Sequence, residues 1–202
     1  MKIAVDAMGA EKGINTVIEA CFAATEEEKD IEIILVGKKD KIKQEIEKIN
    51  LQNLPFPIVD APEIVKMEDS ISNALNKKNS SISSGIELVK NGKAQAFVSA
   101  GNTGAVMACC LLKLGKIKGI ARPCLAATFP TFDGKKVVLV DVGANVDCKP
   151  AHLFQFGLLG SIYAREVLEI KNPKVALLNI GSEETKGNDV TIEAYKLLKR
   201  SS

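Results

Sequence analysis

The sequence predicts an α/β fold, built as a doubly wound, mostly parallel sheet with helices on both faces. Runs of β-branched and aliphatic residues alternate with segments of helical periodicity along the chain. Several of these runs are nearly continuous in Val, Ile, Leu and Ala, which is typical of strands covered on both faces. Three runs end in Gly-, Asn- and Asp-rich turns, at Ser99–Gly104, Asp141–Asp147 and Asn179–Gly181. We therefore interpret residues 1–202 as a single α/β domain.

Seven apolar runs are candidate strands of the sheet. Helical segments separate most of them, so right-handed crossovers and parallel pairing are expected. The predicted strands are Lys2–Ala7, Ile31–Gly37, Phe56–Asp60, Ala94–Ser99, Leu125–Phe129, Lys136–Asp141 and Lys174–Asn179.

The intervening segments show the periodicity of helices. Apolar residues from Ile14 to Phe22, and then Ile42, Ile46 and Ile49, fall on one helical face. Further helices are predicted at Ser80–Lys90, Asn102–Leu114, Pro150 to Glu169 and Asp189–Arg200. Asn102–Leu114 is apolar all round and is expected to be buried. No predicted strand follows the last helix, so we expect the domain to be incomplete at its C-terminal end.

Composition narrows the class of protein. A hydrophobic fraction of 46% with 26% charged residues fits a globular protein, and a net charge of +2 does not favour a nucleic-acid partner. The apolar run Ala105–Leu112 is far shorter than the roughly 18 residues of a membrane span. Five cysteines without CxxC spacing, and no secretory signal, favour reduced thiols in the cytoplasm. With one histidine, no metal site is expected.

The first turn, Ser99–Gly104, has the composition of an anion or oxyanion site. Gly101 and Gly104 let the backbone approach a ligand, while Asn102 and Thr103 add an amide and a hydroxyl at a helix N-terminus. No GxxxxGK[ST] or GxGxxG motif occurs, so chemistry with ATP is not expected. The alternative is a tight turn whose threonine caps the helix.

The second turn follows the predicted strand that ends at Asp141. Gly143 permits an unusual turn, and Asn145 and Lys149 place polar groups at a helix entrance. A buried carboxylate needs a partner, for which Lys149 or Arg122 is suited. A guanidinium at Arg122 can also hold phosphate in bidentate fashion. The alternative is a capping turn with solvated cations.

Two further turns are weaker candidates. Asn179 and Gly181 precede Lys186 and Asn188 in a charged segment, which is equally typical of a solvated loop. Asp6 and Gly9 follow the first predicted strand.

His152 invites a catalytic assignment as a base for Ser99 or Cys148. However, it lies in the first turn of a predicted helix, where the positive end of the dipole disfavours the imidazolium. No GxSxG motif occurs either, so covalent catalysis is not favoured.

At these residues the chain resembles PlsX-type phosphate acyltransferases. The resemblance runs in order over essentially the whole chain, and the string Asp141–Pro150 is its most specific part. The other matching segments are Ala4–Gly9, Ala61–Val65, Lys77–Ser81, Ser99–Ala105, Arg122-Pro123, Asp133–Lys135, Gln155-Phe156, Tyr163–Arg165, Asn179–Gly181 and Lys186–Asn188.

The resemblance implies a fold like that of the isocitrate dehydrogenase and phosphotransacetylase group. It implies transfer of a fatty acyl group from acyl carrier protein to inorganic phosphate for phospholipid synthesis, without a cofactor. It also implies a cytoplasmic homodimer that contacts the inner membrane face through segments beyond this chain, and that supplies a downstream membrane glycerol-3-phosphate acyltransferase.

For this reaction we expect Asn102 and Thr103 to stabilise an oxyanion, and Lys149 and Lys186 to act on phosphate. The expected substrate-binding residues are Asp6, Gly9, Ser99, Gly101, Gly104, Arg122, Asp141, Gly143, Asn145, Asn179, Gly181 and Asn188.

The first loop departs from the resemblance. It is Met8-Gly9-Ala10-Glu11-Lys12 here, where the family usually continues Met-Gly-Gly-Asp with a proline soon after. Two other functions stay open. A nicotinamide-dependent dehydrogenase on the same fold would need clustered aspartates for magnesium. An inactive scaffold would bind acyl carrier protein through lysine clusters such as Lys77-Lys78.

Overall fold

The computed structural model describes residues 1–49 and 55–201 and divides into two compact units, Met1–Gly115 and Lys116–Ser202. Each unit has its own secondary structure and packing. The expectation of a single domain stays a prediction.

The first unit alternates strands and helices. Its elements are β1 (Lys2–Asp6), α1 (Ile14–Glu27), β2 (Glu32–Gly37), α2 (Lys39–Lys48), β3 (Ile58–Asp60), α3 (Ile71–Asn76), α4 (Ser81–Lys90), β4 (Ala96–Val98) and α5 (Thr103–Leu114). The four strands pair in parallel in the order β3-β2-β1-β4. The chain therefore steps outward from β1 to β3 and returns on the other side of β1. The boundary between β1 and β4 is the topological switch point, where open α/β sheets bind ligands.

Both faces of this sheet are covered, as the apolar runs predict. In β2, Ile33 and Leu35 pack in a cluster with residues of α1 and α2. The alternate residue Val36 faces the opposite cluster, against which Leu88 and Val89 of α4 pack. Alternation along a strand sends neighbouring side chains to opposite faces, so the doubly wound prediction is confirmed for this unit.

The expectation that α5 is buried all round is wrong. Its inner face, with Ala105 and Cys109, packs in a cluster with Ile82 and Ile86 of α4. Its last turn is open, and Leu112 is 69% exposed. The helix is buried only where α4 and its neighbours cover it.

The second unit contains β5 (Ala126–Pro130), β6 (Lys136–Val140), α6 (Pro150–Glu166) and α7 (Asp189–Lys199). β5 and β6 are antiparallel, which corrects the expectation of parallel pairing here. Only residues 131–135 separate the two strands, and a parallel connection needs a crossover of a dozen or more residues. The prediction of a strand at Lys174–Asn179 is also wrong, because these residues belong to no ladder among the described residues.

The helix α6 organises the second unit. A Cβ added at Gly157 would lie 2.9 Å from the Leu198 side chain of α7, and one at Gly160 would lie 3.2 Å from Val140 of β6. The two glycines therefore let α6 approach both neighbours closely. Within residues 1–49 and 55–201, no helix combines the length and the apolar character needed to cross a bilayer.

Candidate active site

The candidate residues at the switch point lie in the loops after β1 and β4, which are joined by hydrogen bonds. Asp6 is 2% exposed, and its Oδ1 accepts a hydrogen bond from the Met8 N–H at 2.9 Å. Its Oδ2 accepts the Ser99 hydroxyl at 2.7 Å, and Ser99 Oγ accepts the Gly101 N–H at 3.1 Å. One carboxylate thus joins the loops that follow β1 and β4.

Two glycines make this contact between loops sterically feasible. A Cβ at Gly9 would lie 2.6 Å from Asp6 Oδ2 and 2.7 Å from the Gly101 nitrogen. Real Cβ atoms do not approach backbone so closely, so Gly9 is required by packing. A Cβ at Gly101 would lie 3.1 Å from the Gly9 Cα, so the lack of side chains at both glycines lets the two loops meet.

Asn102 is fully engaged at the start of α5. Its Oδ1 accepts the Ala105 N–H at 2.9 Å, which caps the helix. Its Nδ2 donates to the carbonyls of Met67 at 2.9 Å and Asp69 at 3.0 Å. The amide thereby holds loop 66–69 against the start of α5. Thr103 is exposed and forms no hydrogen bond through its hydroxyl within the part of the chain described.

Loop 66–69 is itself anchored by an ion pair that the sequence did not single out. Lys77 Nζ lies 2.5 Å from Asp69 Oδ2 and also donates to the Ile64 carbonyl at 2.8 Å. The hydrogen bond from Lys77, together with one from the Lys66 N–H, lowers the pKa of Asp69. A lysine pair usually indicates a solvated face, which hid this role of Lys77.

In the second unit, Asp141 organises the turn after β6. Its carboxylate accepts hydrogen bonds from the N–H groups of Leu125, Ala144 and Asn145, at 2.8, 3.1 and 2.7 Å, and from the Asn145 amide at 3.0 Å. Burial opposes the charged form, but these four bonds together lower the pKa of Asp141. Its hydrogen-bond donors are therefore amides, and the expected pairing with Lys149 or Arg122 is wrong.

The same turn positions the two cations. Asn145 Nδ2 donates to the Pro123 carbonyl at 2.9 Å, which ties the turn to the segment that carries Arg122. Arg122 Nη1 donates to the Asp147 carbonyl at 3.1 Å. Gly143 adopts a φ of 122°, which favours glycine. Among the described residues neither Arg122 nor Lys149 forms an ion pair.

His152 completes this group in the first turn of α6. Its Nδ1 accepts the Lys149 N–H at 3.1 Å, and the residue is only 8% exposed. Burial, followed by the nearby charges of Arg122 and Lys149, lowers the pKa of His152. The charges of Arg122 and Lys149 therefore act on the start of α6, while burial and the carboxylates of Asp141 and Asp147 raise the pKa of the neighbouring Cys148 thiol.

The turn at Asn179–Gly181, the third turn, borders a cavity. Asn179 Nδ2 donates to the Lys186 carbonyl at 2.8 Å, and Asn188 caps α7 by accepting the Thr191 N–H at 3.0 Å. A cavity of about 830 Å³ lies between α6, α7 and the segment 173–186. Its lining includes Lys186 together with apolar side chains such as Phe154, and Gly181 contributes backbone to the same wall.

The predicted site residues thus form three groups, one in the first unit and two in the second. The switch-point group contains Asp6, Gly9, Ser99, Gly101, Asn102, Thr103 and Gly104. The second unit contains Arg122, Asp141, Gly143, Asn145 and Lys149 around the start of α6, and Asn179, Gly181, Lys186 and Asn188 at the third turn.

Comparison with solved structures identifies the fold. Over 100% of its length the chain matches EutD phosphotransacetylase from Staphylococcus aureus, with a TM-score of 0.70, 20% identity and 64% of that chain covered. A phosphotransacetylase from Streptococcus pyogenes matches with a TM-score of 0.67, 20% identity and 65% of its chain covered. The predicted phosphotransacetylase-like α/β fold is confirmed.

Comparison with curated sequences identifies the family. A phosphate acyltransferase of Geotalea daltonii is 49% identical over 203 residues, which is 100% of this chain and 58% of the relative. One from Nitratiruptor sp. is 44% identical over 199 residues, covering 98% of this chain and 59% of the relative. The chain therefore spans somewhat more than half the length of these relatives. The family described as "Fatty acid synthesis protein" matches residues 1–202, and the chain belongs to that family.

Proposed function

We propose that the protein transfers a fatty acyl group from acyl carrier protein to inorganic phosphate, giving acyl phosphate for phospholipid synthesis. The observation that carries this proposal is the high identity, along the whole chain, to relatives named phosphate acyltransferase. The cations Arg122 and Lys149, which form no ion pair among the described residues, support it, since the reaction brings an anionic nucleophile to a carbonyl that itself gains negative charge.

The proposed chemistry needs no nucleophile from the protein. A phosphate oxygen attacks the thioester carbonyl carbon, and a C–O bond forms as the carbonyl becomes a tetrahedral oxyanion. The oxyanion collapses, the C–S bond breaks, and the carrier leaves as a thiolate, which takes up the proton that hydrogen phosphate loses. Thioester and acyl phosphate are both activated acyl groups, so ATP is not required. The protein supplies alignment, which contributes about 7–11 kcal/mol in well-oriented reactions.

Each group of residues has a part in this proposal. Arg122 and Lys149 hold phosphate, because neither cation is neutralised by an ion pair in the described chain. Thr103 and the free N–H groups at the start of α5 stabilise the oxyanion. Asn102 keeps these groups in place through its contacts with Met67 and Asp69.

The remaining predicted residues shape the loops. Lys186 lines the cavity beside apolar side chains. A cation next to apolar walls suits the thioester end of an acyl chain. The backbone-shaping group comprises Asp6, Gly9, Ser99, Gly101, Gly104, Asp141, Gly143, Asn145, Asn179, Gly181 and Asn188.

The partners and location are proposed on the family resemblance. They are a second copy of the chain, the inner face of the membrane, and a membrane glycerol-3-phosphate acyltransferase that consumes the product. Five free thiols fit a reducing cytoplasm. Light scattering of the purified protein measures the dimer, and flotation with anionic vesicles measures membrane contact.

The test of the activity is direct. Purified protein at its natural length is mixed with acyl-acyl carrier protein and phosphate without ATP, and acyl phosphate is trapped with hydroxylamine. We expect a product that depends on phosphate and on enzyme. Absence of the hydroxamate, with the carrier thioester intact, would contradict the proposal.

A further inference from the structure

His152 has a side-chain nitrogen that the proposed reaction has not used. It is the only histidine of the chain, and it is more than nine-tenths buried in the first turn of α6. Its Nδ1 is bonded to the Lys149 N–H. Its Nε2 has no hydrogen-bond partner among residues 1–49 and 55–201, and it is not sealed from solvent.

The bond to Nδ1 determines which nitrogen carries the proton. Because a backbone N–H donates to Nδ1, that nitrogen presents its lone pair, and the neutral ring must be protonated on Nε2. Burial and the nearby cations lower the pKa of His152 from its ordinary value of 6.5, so the ring is neutral at pH 7. The free nitrogen is therefore a hydrogen-bond donor and not a base.

The surroundings of this donor select an anion. The charges of Arg122 and Lys149 both act on the ring, and the positive end of the 17-residue helix α6 lies in the same turn. Two carboxylates, Asp141 and Asp147, act on Cys148 in the same turn. That of Asp141 already accepts four hydrogen bonds from amides. Because Nε2 is not sealed from solvent, a ligand oxyanion can reach this donor and accept its hydrogen bond.

We propose that His152 binds inorganic phosphate through its Nε2–H, as a third ligand beside Arg122 and Lys149. This deepens the proposed function, and the effect on turnover rests on it. A neutral donor holds phosphate without adding a third positive charge, so the phosphate oxygens keep more of their nucleophilic character.

The single histidine makes binding directly observable. In a long-range ¹H–¹⁵N NMR spectrum of the ¹⁵N-labelled protein, one imidazole gives one set of signals. We expect the Nε2–H tautomer at pH 7, and a saturable shift of the Nε2 signal on titration with potassium phosphate. Potassium chloride at matched ionic strength is the control. No phosphate shift, or an equal shift with chloride, overturns the proposal.

Two substitutions separate phosphate binding from helix capping. His152→Asn keeps an acceptor near the position of Nδ1 but has no donor at Nε2. His152→Gln places an amide donor near Nε2 and loses the Nδ1 acceptor. We expect His152→Asn to raise the phosphate KM at least tenfold, with the KM for acyl-acyl carrier protein unchanged. His152→Gln should retain most of the phosphate affinity of the wild type.

A purely structural role predicts the opposite pattern. His152→Asn would then match the wild type in phosphate KM and thermal midpoint, while His152→Gln would be impaired, and this result overturns the inference with the proposed function intact. If the wild-type protein forms no acyl phosphate but phosphate still shifts the imidazole signal, the proposed function fails and the phosphate site stands.

Discussion

The turns after β1 and β6 use the same device for different ends. In each, an aspartate at the end of a strand gathers hydrogen bonds from the loop that follows. Asp6 is buried against Ser99, and two glycine backbones close over it. Asp141 binds amides, and the cations Arg122 and Lys149 remain without ion pairs in the described chain. The turn after β1 is held closely by its contacts, and the turn after β6 leaves positive charge available to a ligand.

This difference shows how a carboxylate can serve as a scaffold in a site for anions. A free carboxylate would repel phosphate, yet both aspartates lie beside residues that are candidates for binding phosphate or an oxyanion. Their charge is spread over neutral donors, four in the case of Asp141. Neighbouring lysine or arginine groups therefore do not have to neutralise it. Substitutions that disturb the contacts of either aspartate should consequently lower stability, whereas substitutions of the cations beside Asp141 should weaken phosphate binding.

The largest effect on stability is expected in the turn after β1. Gly9→Ala places a Cβ 2.7 Å from the Gly101 nitrogen, and backbone must move to relieve the overlap. We expect a loss of about 3 kcal/mol in the free energy of unfolding, at the upper end for overpacking. Urea unfolding followed by circular dichroism measures it. A variant as stable as the wild type would show that the loops are free to separate.

The next effect concerns the turn at Asp141. Asp141→Asn replaces an acceptor oxygen by an NH₂ group, so the donors that share Oδ2 lose their partner. We expect destabilisation of about 2 kcal/mol at pH 7 from unsatisfied donors. Since the folded-state pKa of Asp141 is lowered, its contribution is present above the ordinary value of 3.8 and is lost as the pH falls below it.

Denaturant unfolding at pH 7 and at about pH 3 checks this sign. The difference between wild type and Asp141→Asn should shrink at the lower pH. An equal difference at both values would mean that the carboxylate charge does not hold the turn.

The cations should affect binding more than folding. Removing Arg122 or Lys149 with alanine should raise the phosphate KM about 10- to 100-fold, the range for a hydrogen bond to a charged group. The thermal midpoint should change little, because both side chains are exposed. Lys135→Ala, at an exposed ion pair in the turn between β5 and β6, is the matched control and should leave the KM unchanged.

A smaller effect is expected at Asn102. Asn102→Ala removes the cap of α5 and releases loop 66–69, so the rate should fall about tenfold, equivalent to about 1.4 kcal/mol. Asn102→Asp keeps the acceptor for the Ala105 N–H but cannot donate to Met67 and Asp69. If Asn102→Asp retains the wild-type rate, holding the loop is irrelevant and capping alone matters.

The features that sequence could predict are those encoded by local patterns. Nearly continuous apolar runs located β1 and β2, and the Gly-rich turn after β4 pointed to the switch point. The antiparallel hairpin was missed because the apolar runs of β5 and β6 resemble those of buried parallel strands. The short connection between them carried the missing information.

Long-range pairing was beyond local patterns. Lys77 was assigned to a lysine-rich surface, since its partner Asp69 acts through a folded loop. Asp141 was expected to find a cation, because backbone N–H groups are donors that sequence does not distinguish. In both cases the partner depends on how the backbone turns, and amino-acid type alone does not specify that.

Gly104 provides the test with the smallest expected effect, and it concerns the turn after β4. Unlike Gly9, it has room for a side chain: the nearest atom to an added Cβ is Asn102 Oδ1 at 3.4 Å. It lies in the first turn of α5, where alanine should add up to about 0.5–1 kcal/mol of stability. If substrate approaches this backbone, Gly104→Ala should nevertheless raise the KM for acyl-acyl carrier protein, because glycine allows backbone to approach a ligand closely. A more stable variant with unchanged KM would mean that the substrate does not contact the start of α5, leaving the anion site to the second unit alone.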